Sequence, residues 1–169
     1  MNFTIVPLHS SHRKKEFKSG IKLLDNYIHT QAKQDVKKML SACFVLIDQE
    51  NKVKGYYTLS NTGISRDSLP VELSAKLPKS YTDLPATLLG RLAIDESISR
   101  KGFGELLLMD ALKRSYEVSK SEIGSIAVIV DPIDEKAIRF YQRYGFLLLP
   151  DSGKMFIVMK TILGLHQLT

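Results

Sequence analysis

The fold is decided by the stretch between Leu88 and Leu112, LLGRLAIDESISRKGFGELLLMDAL. Residues 88–94 are compatible with a buried strand, and a polar turn with Gly102 and Gly104 leads into an apolar helical segment. A strand that runs through such a turn into a helix is typical of a phosphate site. Glycine lets the backbone approach a ligand closely, and the first N–H groups and the dipole of the helix favour an anion. The stretch therefore predicts a site for a phosphate-bearing ligand.

Three nucleotide sites can be compared with this stretch. A Walker-type loop requires GxxxxGK[ST], which the chain lacks. A dinucleotide site requires GxGxxG, and Leu107 occupies the position of the third glycine. Coenzyme A is the third candidate, and its pyrophosphate could sit on the backbone amides of residues 100–105.

The composition indicates an ordinary soluble globular protein. The chain has 169 residues, 44% hydrophobic and 25% charged, which predicts a single domain over residues 1–169. No apolar run reaches the roughly 18–20 residues of a membrane span. The N-terminus lacks the apolar core of a signal peptide, so we expect a cytoplasmic protein.

The charge favours a polyanionic partner, since the formal net charge is +6. Lysine and arginine concentrate in three clusters, His12–Lys15, Lys33–Lys38 and Arg139–Arg143. Cys43, the only cysteine, has apolar neighbours and is predicted to be a core residue rather than a nucleophile. The four histidines lack metal-ligand spacing, so no metal site is expected.

Hydrophobic periodicity predicts an α/β chain in the order β-α-β-β-loops-β-α-β-α-β-β. The loops correspond to residues 65–85, which contain three Leu-Pro pairs. A mixed sheet with helices on both faces fits this order. The predicted strands are 3–6, 41–48, 53–60, 87–95, 123–130, 146–149 and 155–160. The predicted helices are 20–38 capped by Ser19, 102–118, and 135–144 capped by Asp134 and ended by Gly145.

Two segments resemble the GNAT acetyltransferases. LAIDESISRKGFGELLLMDAL is similar to their acetyl-CoA motif, [RQ]-x-x-G-x-[GA], and residues 134–146 resemble the helix that follows, A-x-x-F-Y-x-x-x-G-F. The glycines match, but Ser99 occupies the first motif position and Arg100 follows it. The resemblance implies acetyl-CoA as co-substrate and the GNAT fold, a central mixed, mostly antiparallel sheet flanked by helices on both faces. At Ser99 it also implies that the backbone carries more of the pyrophosphate binding.

The resemblance is closest to the TacT-type toxins and extends in order from Phe17 to Thr161. It rests on FKSG at 17–20, GYYTLS at 55–60, LGRLA at 89–93 and FYQRYGF at 140–146. Such toxins acetylate the α-amine of aminoacyl-tRNA and block translation. A ribbon-helix-helix antitoxin is usually encoded beside them, and it neutralises the toxin and binds the operator DNA. The resemblance implies these partners, and a homodimer, for this chain.

The family pattern also implies roles for particular residues. Tyr141 would reprotonate the leaving thiolate, although a core aromatic residue would look the same in the sequence. The amides of Leu92, Ala93 and Ile94 would meet the acetyl carbonyl and pantetheine. Arg91 would face the RNA or pair with an acidic neighbour. The residues implied for the pyrophosphate are Ser99, Arg100, Lys101, Gly102, Phe103, Gly104 and Glu105. Those implied for the far end of the cofactor are Lys136 and Asp134, although Asp134 could equally be only a helix cap. Those implied for RNA phosphates are Lys33, Arg139 and Arg143, with His12–Lys15, Lys37 and Lys38.

The pKa of the acceptor amine restricts the choice of acceptor. An α-amine titrates near 8 and loses its proton without a strong base, whereas a lysine, near 10.4, requires one. Gly55–Ser60 contains no glutamate that could serve as that base. Two alternatives remain: an acetyltransferase for small-molecule amines or protein lysines, and a coenzyme A-binding co-repressor without turnover.

Overall fold

The computed structural model describes residues 2–167 and contains one seven-stranded sheet in the order β1-β2-β3-β4-β5-β7-β6. The pair β4–β5 is parallel, while β1–β2, β2–β3, β5–β7 and β6–β7 are antiparallel. The strands are β1 (Thr4–Pro7), β2 (Ala42–Ile47), β3 (Val53–Ser65), β4 (Asp83–Ile94), β5 (Ala127–Val130), β6 (Leu147–Leu148) and β7 (Met155–Val158). The helices are α1 (Lys22–Asn26), α2 (Ala32–Lys37), α3 (Val71–Ser74), α4 (Phe103–Ser121), α5 (Glu135–Arg143) and α6 (Met159–Gln167). The prediction of a mixed, mostly antiparallel sheet is confirmed.

The chain folds as two compact units, and β3, β4 and α4 each run through both of them. The first unit comprises Met1–Ser60 and Leu89–Ala111, and the second comprises Asn61–Leu88 and Leu112–Thr169. Each has its own apolar cluster. That of the first unit is Phe17, Leu24, Tyr27, Ile28, Ala32, Cys43, Val45, Val53, Tyr56 and Ala93. That of the second is Ile64, Leu69, Leu84, Ala86, Ala127, Ile129, Leu149 and Phe156. Residues 1, 168 and 169 of the predicted domain lie outside the described residues.

The first helical region is shorter and less regular than predicted. It begins at Lys22, and Ser19 forms no cap; instead the Ser19 N–H and hydroxyl donate to Asp25 Oδ1 at 2.8 and 2.6 Å. Gly20, with φ +87°, turns the chain before the helix. A π-helical segment, Tyr27–Gln31, separates α1 from α2. The predicted apolar stripe is interrupted at Leu23, which lies before this segment and is 73% exposed.

The hairpin and the predicted edge strand are confirmed. In β2–β3, Val45 lies opposite Tyr56 and Phe44 opposite Tyr57. The strand β1 lies at one end of the sheet. Between β3 and β4 the predicted loops and short helices appear as a 3₁₀ turn, Arg66–Ser68, and the single turn of α3.

The strand–turn–helix of the opening stretch forms as predicted, with small shifts in its bounds. β4 begins at Asp83 rather than Thr87 and includes Pro85, whose carbonyl accepts the Ile126 N–H at 2.9 Å. α4 runs from Phe103 to Ser121. Its predicted apolar stripe is confirmed by four fully buried side chains: Leu107, Leu108, Ala111 and Leu112.

The C-terminal part contains two corrections. β5 is limited to Ala127–Val130, because the turn after α4 occupies the residues before it, and Ile123 is 59% exposed. Met159 and Lys160 do not extend β7 but begin α6. The caps of α5 are confirmed: Asp134 Oδ1 accepts the Ala137 N–H at 2.7 Å, and Gly145 ends the helix at φ +94°.

Among residues 2–167, no helix combines the length and the apolar character that crossing a membrane requires.

Candidate functional site

The turn between β4 and α4 forms a cradle of backbone N–H groups, residues 100–105. Arg100 and Gly102 have positive φ values of 60° and 87°. The first backbone bond of the helix is donated by Leu106 to the Gly102 carbonyl, at 3.1 Å. Among residues 2–167, the N–H groups of 100–105 have no acceptor. A Cβ built on Gly102 meets no atom within 4 Å, so the space above the cradle is open. The cradle has the geometry and polarity that an anion requires.

Asp95 anchors the segment that leads into the cradle. Its Oδ2 accepts the Lys18 N–H at 2.9 Å, and its Oδ1 accepts the Ser97 N–H and hydroxyl at 2.9 and 2.6 Å. Burial alone would raise the pKa of this carboxyl, but these bonds and the nearby Lys54 outweigh burial and lower it. Asp95 therefore stays ionised and caps the 3₁₀ turn Glu96–Ile98. The sequence pattern placed Asp95 only at the end of a strand and predicted no further role for its carboxylate.

The end of β4 that precedes this turn is held by a close approach from β3. A Cβ on Gly55 would lie 3.2 Å from the Ala93 carbonyl oxygen and 2.9 Å from Ile94 Cδ1. Only glycine lets β3 lie this near. The Ala93 side chain is buried, and those of Leu92 and Ile94 are half-buried. The three predicted residues thus lie on one rigid strand end.

Arg91 stacks on an aromatic ring. Its guanidinium carbon lies 3.6 Å from the centre of the Tyr27 ring, and no ion pair forms between Arg91 and an acidic residue among residues 2–167. The alternative of an acidic neighbour is therefore wrong. The sequence pattern placed Tyr27 only on an apolar helix face. It could not predict the contact with Arg91, because β4 and the helical region are brought together only by tertiary packing.

The basic clusters of the first unit differ in their surroundings. Arg13 is paired with Glu16 at 2.9 Å. Lys14 and Lys33 line one pocket of about 100 Å³ with Leu8, His9, Ser10 and Val36. Burial, and then the charge of Lys33, lower the pKa of Lys14. Lys37 and Lys38 are exposed. Of the predicted phosphate contacts, the structure brings Lys14 and Lys33 together.

Tyr141 lies on α5 in the second unit, with a buried ring and an unbonded hydroxyl. The ring contacts Phe140 and Phe146 at centroid distances of 5.2 and 5.1 Å. Among residues 2–167 the hydroxyl has no hydrogen-bond partner, whereas a buried tyrosine usually finds one. Burial raises the pKa of Tyr141, so the hydroxyl keeps its proton near neutral pH. The ring belongs to the core, and the hydroxyl can donate to a ligand.

The other predicted residues of the second unit accompany Tyr141 on or beside α5. Asp134 is the N-cap described above, so the cap explains its side chain. Lys136, Arg139 and Arg143 are exposed and form no ion pair within residues 2–167. Among the described residues, no group of three histidine, cysteine, aspartate or glutamate side chains could hold a metal ion.

The sequence profile of the acetyltransferase (GNAT) family matches residues 14–146, which include the cradle, β4 and α5. The chain belongs to the GNAT acetyltransferase family. Its fold and its use of acetyl-CoA are those of the family, as the motif predicted.

The relatives of this chain include a tRNA-acetylating toxin and the solved structures of KacT and AtaT. The chain is 30% identical over 145 residues to a tRNA-acetylating toxin of Mycobacterium tuberculosis, covering 85% of this chain and 84% of the relative. A tyrosine-to-phenylalanine mutant of KacT matches with a TM-score of 0.91 at 30% identity, over 98% and 99% of the two chains. AtaT complexed with acetyl-methionyl-tRNAfMet matches with a TM-score of 0.90 at 28% identity, also over 98% and 99%. The predicted resemblance to this class of toxin is confirmed.

Related structures also include assemblies. AtaT has been solved with the C-terminus of the antitoxin AtaR and acetyl-CoA, and KacTA has been solved with DNA.

Proposed function

We propose that this protein is a toxin that transfers the acetyl group of acetyl-CoA to the α-amine of aminoacyl-tRNA and thereby blocks translation. The observation that carries the proposal is the match over nearly the full length of both chains to AtaT bound to acetyl-methionyl-tRNAfMet. We also propose that residues 1–169 form one acetyltransferase domain. The continuity of β3, β4 and α4 through both compact units supports this.

The cradle of residues 100–105 would bind the pyrophosphate of acetyl-CoA. Its N–H groups have no acceptor among residues 2–167, and the open space at Gly102 suits a phosphate. Ser99 is exposed, and its short side chain cannot replace the arginine or glutamine of the family motif. The flanking side chains of Arg100 and Lys101 are exposed cations that would add charge beside Phe103, Gly104 and Glu105.

The end of β4 would bind the acyl part of the donor. A backbone N–H of Leu92, Ala93 or Ile94 directed at the carbonyl oxygen would stabilise the negative charge that develops as the amine attacks. The close approach of Gly55 holds this strand end in place before the donor binds. Such preorganisation is what makes an oxyanion contact effective. Asp134 and Lys136 would lie toward the far end of the donor.

Tyr141 would supply the proton for the leaving group. When the amine attacks, a C–N bond forms, the C–S bond breaks, and the nitrogen loses a proton to water. The Tyr141 hydroxyl, unbonded in the described residues, donates to the departing sulfur and is reprotonated from solvent. Because its pKa is raised by burial, Tyr141 is protonated before each turnover. The thiol of coenzyme A resembles a cysteine thiol, whose pKa is near 8.5 and lies below that of a tyrosine hydroxyl. A hydrogen bond from the Tyr141 hydroxyl to the sulfur therefore carries much of the stabilisation of the leaving group.

The acceptor amine needs no strong base. An α-amine near pKa 8 is substantially neutral at cellular pH, whereas a lysine is not. No aspartate or glutamate occurs in Gly55–Ser60. This favours an aminoacyl ester over a protein lysine. Lys33, Arg139 and Arg143 would contact RNA phosphates, together with other members of the basic clusters.

We further propose a ribbon-helix-helix antitoxin as the protein partner, with operator DNA contacted only through it, and a homodimer as the assembly. The complex of AtaT with the C-terminus of AtaR supports the antitoxin as a partner, and the complex of KacTA with DNA supports the contact with operator DNA. Aminoacyl-tRNA is consumed in translation, so we place the protein in the cytoplasm.

An acceptor panel tests the proposed function. The protein is incubated with labelled acetyl-CoA and, in parallel, with charged total tRNA, deacylated tRNA, a set of polyamines and a lysine-containing peptide. We expect label on charged tRNA alone. Label on polyamines or the peptide with none on charged tRNA would refute it. Binding of acetyl-CoA without transfer to any acceptor would indicate the non-catalytic alternative instead.

A further inference from the structure

Arg91 is a guanidinium whose hydrogen-bond donors are all uncommitted. The side chain is half-buried, and within residues 2–167 it forms neither a hydrogen bond nor an ion pair. Its contact is with the face of Tyr27, at 3.6 Å. A guanidinium stacked in this way keeps its N–H groups in its own plane, directed away from the ring.

The ring beneath Arg91 is fixed in several ways. Tyr27 is only 4% exposed, and its hydroxyl donates to Asp35 Oδ2 at 2.8 Å. The Tyr56 ring is stacked with that of Tyr27 at 6.1 Å between centroids, and its hydroxyl donates to the Leu24 carbonyl at 2.7 Å. Arg91 therefore rests on a rigid aromatic base.

A held guanidinium with free donors recognises a particular class of ligand. Its planar fork matches two oxygens of a phosphate or carboxylate, and preorganisation reduces the entropy lost on binding. The positive charge of the chain and the proposed RNA substrate favour phosphate.

The position along β4 separates this phosphate from those of acetyl-CoA. Within the first unit, Arg91 precedes Leu92–Ile94, proposed for the acyl group, whereas the cradle at 100–105 follows them. In the proposed site the donor would occupy the residues from Leu92 to the end of the cradle. We therefore assign a phosphate at Arg91, which precedes them, to the acceptor.

We infer that Arg91, held by Tyr27, is a preformed receptor for a phosphodiester of the acceptor RNA, and that Tyr27 is its positioning residue. This inference rests on the proposed function and adds to it one phosphate contact and the device that holds it.

The test measures tRNA binding by fluorescence anisotropy across a salt series, and kcat/KM on charged tRNA. Each phosphate contact contributes about 0.7–0.9 to the slope of log affinity against log salt. We expect Arg91→Gln to lower the slope by about that amount and to weaken binding about tenfold. Arg91→Lys keeps the charge and the slope but loses the fork, so we expect a several-fold loss of affinity.

Variants of the ring separate positioning from charge. Tyr27→Leu keeps the charge of Arg91, so we expect an unchanged slope with a raised KM. Tyr27→Phe keeps the ring and is expected to bind tRNA more tightly than Tyr27→Leu. Lys52→Gln is the matched control, because it also removes one positive charge but from an ammonium paired with Glu50 at 3.0 Å. Thermal melting checks that each variant is folded.

Equal slopes for Arg91→Gln and Lys52→Gln would overturn the inference. An Arg91 variant that binds tRNA with the wild-type salt slope but loses affinity for an acidic peptide would also overturn the inference. Arg91 would then recognise a carboxylate. Failure of the proposed function appears separately, as absence of acetylation of charged tRNA by the wild-type protein.

Discussion

Replacing Asp95 by asparagine removes one particular hydrogen bond from the segment that leads into the cradle. The carboxylate uses both oxygens: Oδ2 accepts the Lys18 N–H, and Oδ1 accepts the two donors of Ser97. Asparagine has one acceptor oxygen, so either Lys18 or Ser97 would face an NH₂ group. A hydrogen bond to a charged group contributes about 1.5–3 kcal/mol. We expect Asp95→Asn to lower the free energy of unfolding by about 2–3 kcal/mol, and Tm by roughly 4–12 °C.

The matched control is Asp48→Asn, in the turn between β2 and β3. Asp48 also accepts two backbone N–H groups, those of Glu50 and Lys52, both at 2.9 Å, but both reach the same oxygen, Oδ1. The single carbonyl oxygen of asparagine can keep both bonds. We therefore expect a change within about 0.5 kcal/mol. Urea unfolding followed by circular dichroism measures both variants.

The effect of Asp95 also depends on pH with a defined sign. The pKa of Asp95 is lowered in the folded state, so its contribution is fully present above the ordinary value of about 3.9 and is lost as pH falls through the folded pKa. The difference between wild type and Asp95→Asn should be constant from about pH 5 to pH 8 and should shrink below about pH 4. Equal losses for Asp95→Asn and Asp48→Asn, or a difference that persists unchanged into acid, would refute this account of Asp95.

Three further predictions concern the site and the core. Tyr141→Phe should lower kcat on charged tRNA by about 10²–10⁴-fold while acetyl-CoA still binds in calorimetry, since only the unbonded hydroxyl is removed; full activity would exclude Tyr141 as the acid. Gly102→Ala should weaken acetyl-CoA binding about tenfold. Holding φ at +87° costs an L-residue about 1–2 kcal/mol, so the turn would relax in the free protein and binding would have to restore it. Gly63→Ala, with open space and no positive φ, should bind acetyl-CoA like the wild type, and equal affinities of the two variants would contradict this role of the turn. Burial raises the pKa of Cys43 to about 12, so iodoacetamide at pH 8 should modify it far more slowly in buffer than in urea, and equal rates would show that the thiol is accessible.

The sequence was most informative where a local pattern has one physical solution. The strand, turn and helix of the opening stretch form because the apolar run, the glycines and the stripe of α4 agree with one another. The capping of α5 by Asp134 and Gly145 is equally local, and both caps were predicted.

The sequence was less informative where distant residues decide the structure. Leu23 fits the helical period, yet its side chain is 73% exposed, and no sequence signal marks the π-helical segment that follows it. Met159 continues the apolar run of β7, yet Met159 and Lys160 begin α6 instead of extending the strand.

The site shows the same limit. Arg91 was placed on β4 correctly, but its partner, Tyr27, lies far away in the sequence, and the two meet only when strand and helix pack. The bonds from Lys18 to Asp95 and the approach of Gly55 to Ala93 depend on tertiary contacts as well. Backbone strain at Arg100, with φ 60°, cannot be read from an arginine in a sequence.

The α-amine of aminoacyl-tRNA is the group that we propose receives the acetyl group. The most direct measurement treats charged total tRNA with the protein and acetyl-CoA, digests the RNA with nuclease, and determines the masses of the aminoacyl-adenosines. We predict aminoacyl-adenosine carrying one acetyl group on its α-amine, and none when that amine is formylated beforehand. Unmodified aminoacyl-adenosine, in a reaction where the same enzyme acetylates a polyamine or a lysine peptide, would show that aminoacyl-tRNA is not the acceptor.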